Sequence, residues 1–138
     1  MESFIGPLEL EFIIVLLLSV GAGLVIGVER ESRGKDAGIS THILVISGAA
    51  LFTLMSAIVD PMSTSRIASQ IVPGIGFLGA GLILKDGVTV KNLTTAASLW
   101  FAAALGMAIG YGFYVVAIIG ALVCAIIPRI PSLHKHSV

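Results

Sequence analysis

Charge is missing from five long stretches of this chain. Phe12 to Val28, Ile43 to Val59, Ile67 to Leu84, Leu93 to Ile109 and Tyr111 to Ile127 each run 17 or 18 residues without one Asp, Glu, Lys or Arg. Only 12% of the 138 residues are charged while 57% are hydrophobic, a balance far outside that of soluble globular domains. A soluble fold is set aside on that ground. At about 1.5 Å per residue each stretch reaches roughly 26 Å, the short end of what crosses a bilayer core.

Other absences narrow the function. One cysteine, Cys124, excludes an internal disulfide and a cysteine metal cluster, and its place inside the last apolar stretch reads as a small buried apolar residue. Glu9 and Glu11 precede the first stretch where a cleavable signal would carry positive charge, so that stretch is expected to remain in the mature protein. The longest polar runs, Glu29 to Ser40 and Pro128 to Val138, leave no room for a soluble domain, and the expectation is one compact membrane domain over residues 1–138. No nucleophile stands with a base and an orienting acid, so an enzyme is not expected. His42 has no second histidine or carboxylate at helical spacing and reads as an interfacial imidazole bonded to backbone. No cofactor and no nucleic-acid partner are expected. A Mg²⁺ site would need carboxylates such as Glu29, Glu31 or Asp60, each of which also lies near an arginine.

The charges that are present fall on one side. With the N-terminus outside, the inner segments hold Arg30, Arg33, Lys35, Lys85, Lys91, Arg129 and Lys135, and the outer segments hold only Arg66. The acids divide evenly. This asymmetry predicts an all-α polytopic bundle of five transmembrane helices, N-terminus outside and C-terminus cytoplasmic, and a basic inner rim suited to membrane lipids of negative charge.

Small residues recur every four positions: Ser19, Gly23 and Gly27; Thr94, Ser98, Ala102, Gly106 and Gly110; Ala117, Ala121 and Ala125. Such ridges let helix backbones approach closely. They fit a tight intramolecular bundle, or a homo-oligomer or contact with another membrane protein if one ridge faces outward. The third stretch is the least ordinary. Pro73 cannot donate to the carbonyl of Ser69, and Gly74, Gly76, Gly79 and Gly81 follow within eight residues, so a kink or unwound turn is expected near Pro73. Gln70, one turn earlier, is placed to reach the freed carbonyls, and Gln70 to Gly81 is the preferred functional segment. Gly74, Gly76 and Gly79 also spell G-x-G-x-x-G. That match is discounted because no βαβ unit surrounds it.

Several blocks together resemble the MgtC/SapB family: Ile26 to Glu31, Gly34-Lys35 with Ala37-Gly38, Thr41-His42-Ile43-Leu44-Val45, Asp60, Arg66-Ile67-Ala68 with Gln70, Gly74 to Gly81, and Leu93-Thr94-Thr95-Ala96-Ala97-Ser98-Leu99-Trp100. The resemblance covers roughly residues 20 to 115. It implies a multi-pass protein of the bacterial cytoplasmic membrane, and the longer MgtC type of the family is linked to growth at low magnesium, survival inside macrophages and inhibition of the proton-driven ATP synthase. Its blocks hold Glu29, Arg30, Lys35, Thr41, His42, Asp60, Arg66, Gln70, Gly74, Gly76, Gly79, Gly81, Thr94, Thr95 and Trp100 as candidate functional residues, and Lys85 joins them because Glu29, Arg30 and Lys85 at the inner ends of the first and third stretches are placed for an ion pair that locks the two together. Family members usually carry Arg where this chain has Ser40 and Ser where it has Pro73. Ending at Val138, the chain resembles the short SapB-like form that lacks a C-terminal soluble domain.

Two function classes follow. One is a non-enzymatic regulator that docks helices against itself or other membrane proteins. The other is a channel or transporter for a cation such as Mg²⁺, using carbonyls near Pro73 and the hydroxyls of Thr94, Thr95 and Ser98.

Overall fold

The computed structural model describes residues 6–86 and 89–131. Five helices follow one another: α1 (Pro7–Ser32), α2 (Ile39–Val59), α3 (Ile71–Leu82), α4 (Leu93–Gly110) and α5 (Tyr114–Ile126). A 3₁₀ turn, Ala68–Gln70, leads into α3 and another, Ile127–Arg129, follows α5. The expectation of a wholly α fold is corrected by a small antiparallel hairpin, β1 (Leu84–Asp86) with β2 (Thr89–Lys91), in which Leu84 faces Lys91.

By length and composition α1, α2 and α4 are able to cross a membrane, while Ala68–Leu82 and Tyr114–Arg129 are shorter apolar helical segments. This is a helical membrane protein. α1, α2 and α4 form the centre, α3 lies along α4, and α5 closes the other flank against α1 and α4.

The centre is tight because its ridges are small. Gly23 and Gly27 of α1 meet the backbone of Ile43 and Ile39 on α2, and Gly106 and Gly110 of α4 meet the carbonyls of Ile46 and Ala50 from the other side of α2. A methyl group at any of the four would collide with backbone, so the helices must part to admit it. The ridges on α1 and α4 are therefore intramolecular, and the reading in which they face another copy is corrected. Ala117 and Ala121 of α5 are also buried. Val15, Ile26, Ile46, Ala50, Leu54, Ala102, Leu105 and Ile109 fill the core between them.

α3 is attached differently. Only Ile75 is buried on it, in a small cluster with Ala49 and Ala103. The helix runs unbroken through its glycines, and the irregular turn falls at Ala68–Gln70, ahead of Pro73. Pro73 lies in the first turn of α3, where its missing N–H would have had no helical partner in any case. The expected kink at Pro73 is thus a tightened entry turn. Ser56 of α2 holds that entry, its Oγ accepting from the backbone N–H of Ile67 at 3.1 Å and of Ala68 at 3.3 Å.

Candidate functional site

The C-terminal end of α1 is built by local rules. Glu29 to Ser32 continue the helix past the apolar stretch, so Glu29 and Arg30 occupy its last turns instead of a loop. Gly34 ends it with a positive φ of 61°, the N–H of Lys35 returns to the carbonyl of Arg30 at 3.0 Å and that of Gly34 to Glu31 at 2.9 Å. This pair of bonds is the Schellman closure, and it depends on glycine at that position. The reversal brings Gly38 against the Glu31 side chain, whose Oε1 accepts from the Ile39 N–H at 2.9 Å and caps α2.

Helical spacing then decides what is buried. Ser19, Gly23, Gly27 and Arg30 share one inward stripe, and Arg30 is only 1% exposed. Glu29, with a side chain 2% exposed, is surrounded by three guanidinium groups: Arg30 Nη1 at 3.7 Å, Arg33 Nη1 at 3.7 Å and Arg129 Nε at 3.8 Å. All three distances exceed hydrogen-bond reach. Both carboxylate oxygens of Glu29, and Nε and Nη1 of Arg30, have no hydrogen-bond partner among the described residues. The attraction is Coulombic, and one negative charge faces three positive ones. That surplus repels a cation and attracts an anion, which weighs against Glu29 as a Mg²⁺ ligand. Among the described residues no group of three His, Cys, Asp or Glu side chains is placed to hold a metal ion.

His42, fully buried on the first turns of α2, joins the N-terminal ends of α2 and α4. Its Nδ1 lies 2.8 Å from the Gly38 carbonyl and its Nε2 3.2 Å from Ser98 Oγ. A carbonyl only accepts, so Nδ1 carries hydrogen. Ser98 donates to the Thr95 carbonyl at 2.7 Å. In the neutral imidazole the Ser98 hydroxyl is shared between that carbonyl and Nε2; in the imidazolium Nε2–H donates to Ser98 and the Thr95 bond stays intact.

Asn92 completes this end of the bundle. It opens α4 in the left-handed conformation at φ 64°, and its amide donates to Asp36 and, at 3.2 Å, to the Leu82 carbonyl. The loop after α1 is thereby tied to the segment between α3 and α4. At the other end of the bundle Asp60 pairs with Arg66 at 2.8 Å, and the Tyr111 hydroxyl donates to the Thr64 carbonyl at 3.2 Å. Arg66 is 72% exposed, so this pair contributes at most about 1 kcal/mol.

The candidate residues consequently separate into groups. Glu29, Arg30, His42 and Thr95 are buried together around the C-terminal end of α1 and the N-terminal ends of α2 and α4, with Thr41 half-buried and Lys35, Thr94 and Trp100 exposed. Asp60 and Arg66 pair at the opposite end of the bundle. Gly74, Gly76 and Gly81 face open space, whereas Gly79 approaches Ala96 of α4. Gln70 is exposed and lines an apolar groove between α2 and α3 instead of bridging carbonyls within its own helix. The side chain of Lys85, proposed as a partner for Glu29, and residues His134, Lys135 and His136 lie outside the described residues. Arg33 and Arg129 are neighbours of Glu29 that sequence reasoning did not name as candidates. Arg33 had a signal, being four residues after Glu29 on one helix; Arg129 had none, because only the packing of α5 against α1 brings it there.

Comparison with known proteins agrees with this architecture. Residues 16–135 match the model of the MgtC family. YhiD of Escherichia coli K12, named as a candidate magnesium transporter, is 44% identical over 126 residues, covering 85% of this chain and 59% of YhiD. The protein MgtC of Salmonella typhimurium LT2 is 48% identical over 101 residues, 73% of this chain and 44% of its own. A protein of Synechocystis is 44% identical over 113 residues, 81% of this chain and 48% of its own. The chain thus spans about half the length of the curated relatives it matches. No solved structure matches it. With residues 16–135 inside the family match, and with Ile26, Gly27, Glu29, Arg30, Thr95, Ala96 and Ser98 buried at one end of the bundle, the chain belongs to the MgtC family.

Proposed function

We propose that this protein crosses the bacterial cytoplasmic membrane five times, with its N-terminus outside, and acts without catalysing a reaction, by receiving a second copy of itself on α3. The observation that carries this reading is the exposure of α3. Gly74, Gly76 and Gly81 meet nothing on their outer side, and Phe77 is 82% exposed beside them. A helix that presents bare backbone and one large knob has the relief that membrane helices use for close approach.

The groove between α2 and α3, about 420 Å³ and lined by Gly48, Phe52, Gln70, Gly74 and Leu78 among others, supports a symmetric contact. An amide both donates and accepts, so two Gln70 side chains meeting across a twofold axis satisfy one another. The seven-to-one division of basic residues supports the orientation. The short α3 and α5 segments are accommodated by local thinning of the bilayer or by association.

The test is mass measurement of the detergent-solubilised protein together with oxidative cross-linking of Gly74→Cys in a Cys124→Ala background. A dimer that cross-links at position 74 is expected, and Gly76→Leu should abolish it. A monomer in the native protein would overturn the proposal. A second reading, cation transport, is favoured by the name of YhiD. Mg²⁺ flux through the purified protein in liposomes, lost in Gly76→Leu, would establish it instead.

A further inference from the structure

Between α4 and α5 lies a second groove, of about 190 Å³, walled by Ala97, Phe101, Val123, Ile127 and Pro128 with Cys124 also lining it. Its lining is apolar along most of its length. Pro128 marks one end, and here the arginines gather: Arg33 donates from Nη1 to the Pro128 carbonyl at 3.0 Å, and Arg129 follows in the chain. Both heads also approach Glu29, at 3.7 and 3.8 Å. Arg33 is 43% and Arg129 66% exposed at the side chain, so the positive end of the groove is open to a ligand.

The charge count at this point is unequal. Glu29 can neutralise one of the three guanidinium groups around it, and none of them is held by it at hydrogen-bond distance. The buried Arg30 keeps Nε and Nη1 without hydrogen-bond partners among the described residues. A fixed carboxylate that draws three arginines together leaves a preset patch of positive charge, and planar guanidinium forks match phosphate oxygens. An apolar cleft on one side and a phosphate-directed patch at its end have the shape of a lipid.

We infer that the α4–α5 groove and its arginine end bind one anionic phospholipid, the acyl chain lying along Phe101, Val123 and Ile127 and the headgroup phosphate meeting Arg33 and Arg129. Basic pockets between membrane helices hold anionic headgroups in this way. Glu29 draws the arginine heads toward one point. The site does not depend on α3 or on a second copy, so it stands or falls apart from the self-association proposed above.

The experiment is native mass spectrometry of the full chain in mild detergent with phosphatidylglycerol or phosphatidylcholine of identical acyl chains. One phosphatidylglycerol should be retained in preference to phosphatidylcholine. Arg33→Gln and Arg129→Gln should each weaken retention about fivefold, and Arg129→Lys much less. Ala97→Phe leaves every charge in place but fills the groove, and should weaken retention of phosphatidylglycerol while circular dichroism shows the helices unchanged. Equal retention of the two lipids, wild-type retention by both glutamine variants, or no effect of Ala97→Phe would each overturn the inference. Displacement of the lipid by millimolar inorganic phosphate as readily as by excess phosphatidylglycerol would do so too, since the site would then recognise a free anion.

Discussion

Arg33, at the C-terminal cap of α1, donates to the carbonyl of Pro128 at 3.0 Å across 95 positions of the chain. This bond draws the segment after α5 onto the end of α1 and sets Arg129 beside Glu29. The charged centre at the C-terminal end of α1 is therefore a product of tertiary closure, with the carboxylate supplied by α1 and one of its counter-charges by the last described turn.

Removing the carboxylate should be costly. In Glu29→Ala, Arg30 keeps its charge in a buried position without the acid beside it, and loss of one partner of a buried pair costs about 3 to 5 kcal/mol. Arg129→Gln, at a side chain 66% exposed, should cost under about 1 kcal/mol. Thermal unfolding of the two variants in detergent, followed by circular dichroism, should separate them clearly; equal melting temperatures would mean that Glu29 is stabilised by water.

Glu31 has a smaller but measurable role. Its carboxylate accepts from the Ile39 N–H and is the only side-chain cap at either end of α2 among the described residues. Glu31→Ala should cost about 1 kcal/mol, less than Glu29→Ala, and Glu31→Gln should recover part of it because an amide oxygen also accepts. A Glu31→Ala protein as unstable as Glu29→Ala would contradict this division.

Leucine substitutions should distinguish inward from outward glycines. Gly106→Leu drives a side chain into the backbone of α2 at Ile46 and should lower the yield of folded protein or its melting temperature sharply. Gly76→Leu enters open space and should leave the melting temperature of the monomer unchanged while abolishing association. Destabilisation by both to the same degree would show that α3 packs against its own chain at Gly76.

Orientation is tested by cysteine labelling. Ser32 lies near the basic end and Thr64 in the exposed loop of the opposite end, and buried Cys124 contributes little background. In intact cells an impermeant maleimide should modify Thr64→Cys and spare Ser32→Cys. The reverse pattern would invert the topology.

The helical segments were legible because unbroken apolar runs carry a strong signal, and their ends were not, because α1 and α2 extend through polar residues that the runs exclude. Arg30 illustrates the lesson. As a charge it reads as loop, yet it lies three residues after Gly27 on the inward face that Ser19, Gly23 and Gly27 share, and helical spacing placed it in the core. His42 was legible as an imidazole bonded to backbone, and it is bonded to Gly38. Pro73 misled because its effect depends on position within a helix, and only the structure shows that α3 begins two residues before it. The hairpin of Leu84–Asp86 and Thr89–Lys91 was hidden by its three-residue strands, too short for any alternation to register.

Ser56 at one end of α3 and Asn92 at the other bear on how that helix responds to load. Ser56 grips the turn that enters it, and the Asn92 amide grips Leu82, its last residue. Between these anchors Ile75 alone is buried. A helix held at both ends with so little buried between them belongs to a less stable part of the fold than α2 or α4. A partner docked on the glycine face of α3 is therefore linked by two hydrogen-bonded anchors to α2 through Ser56 and, through Asn92, to Asp36 in the loop that joins α1 to α2.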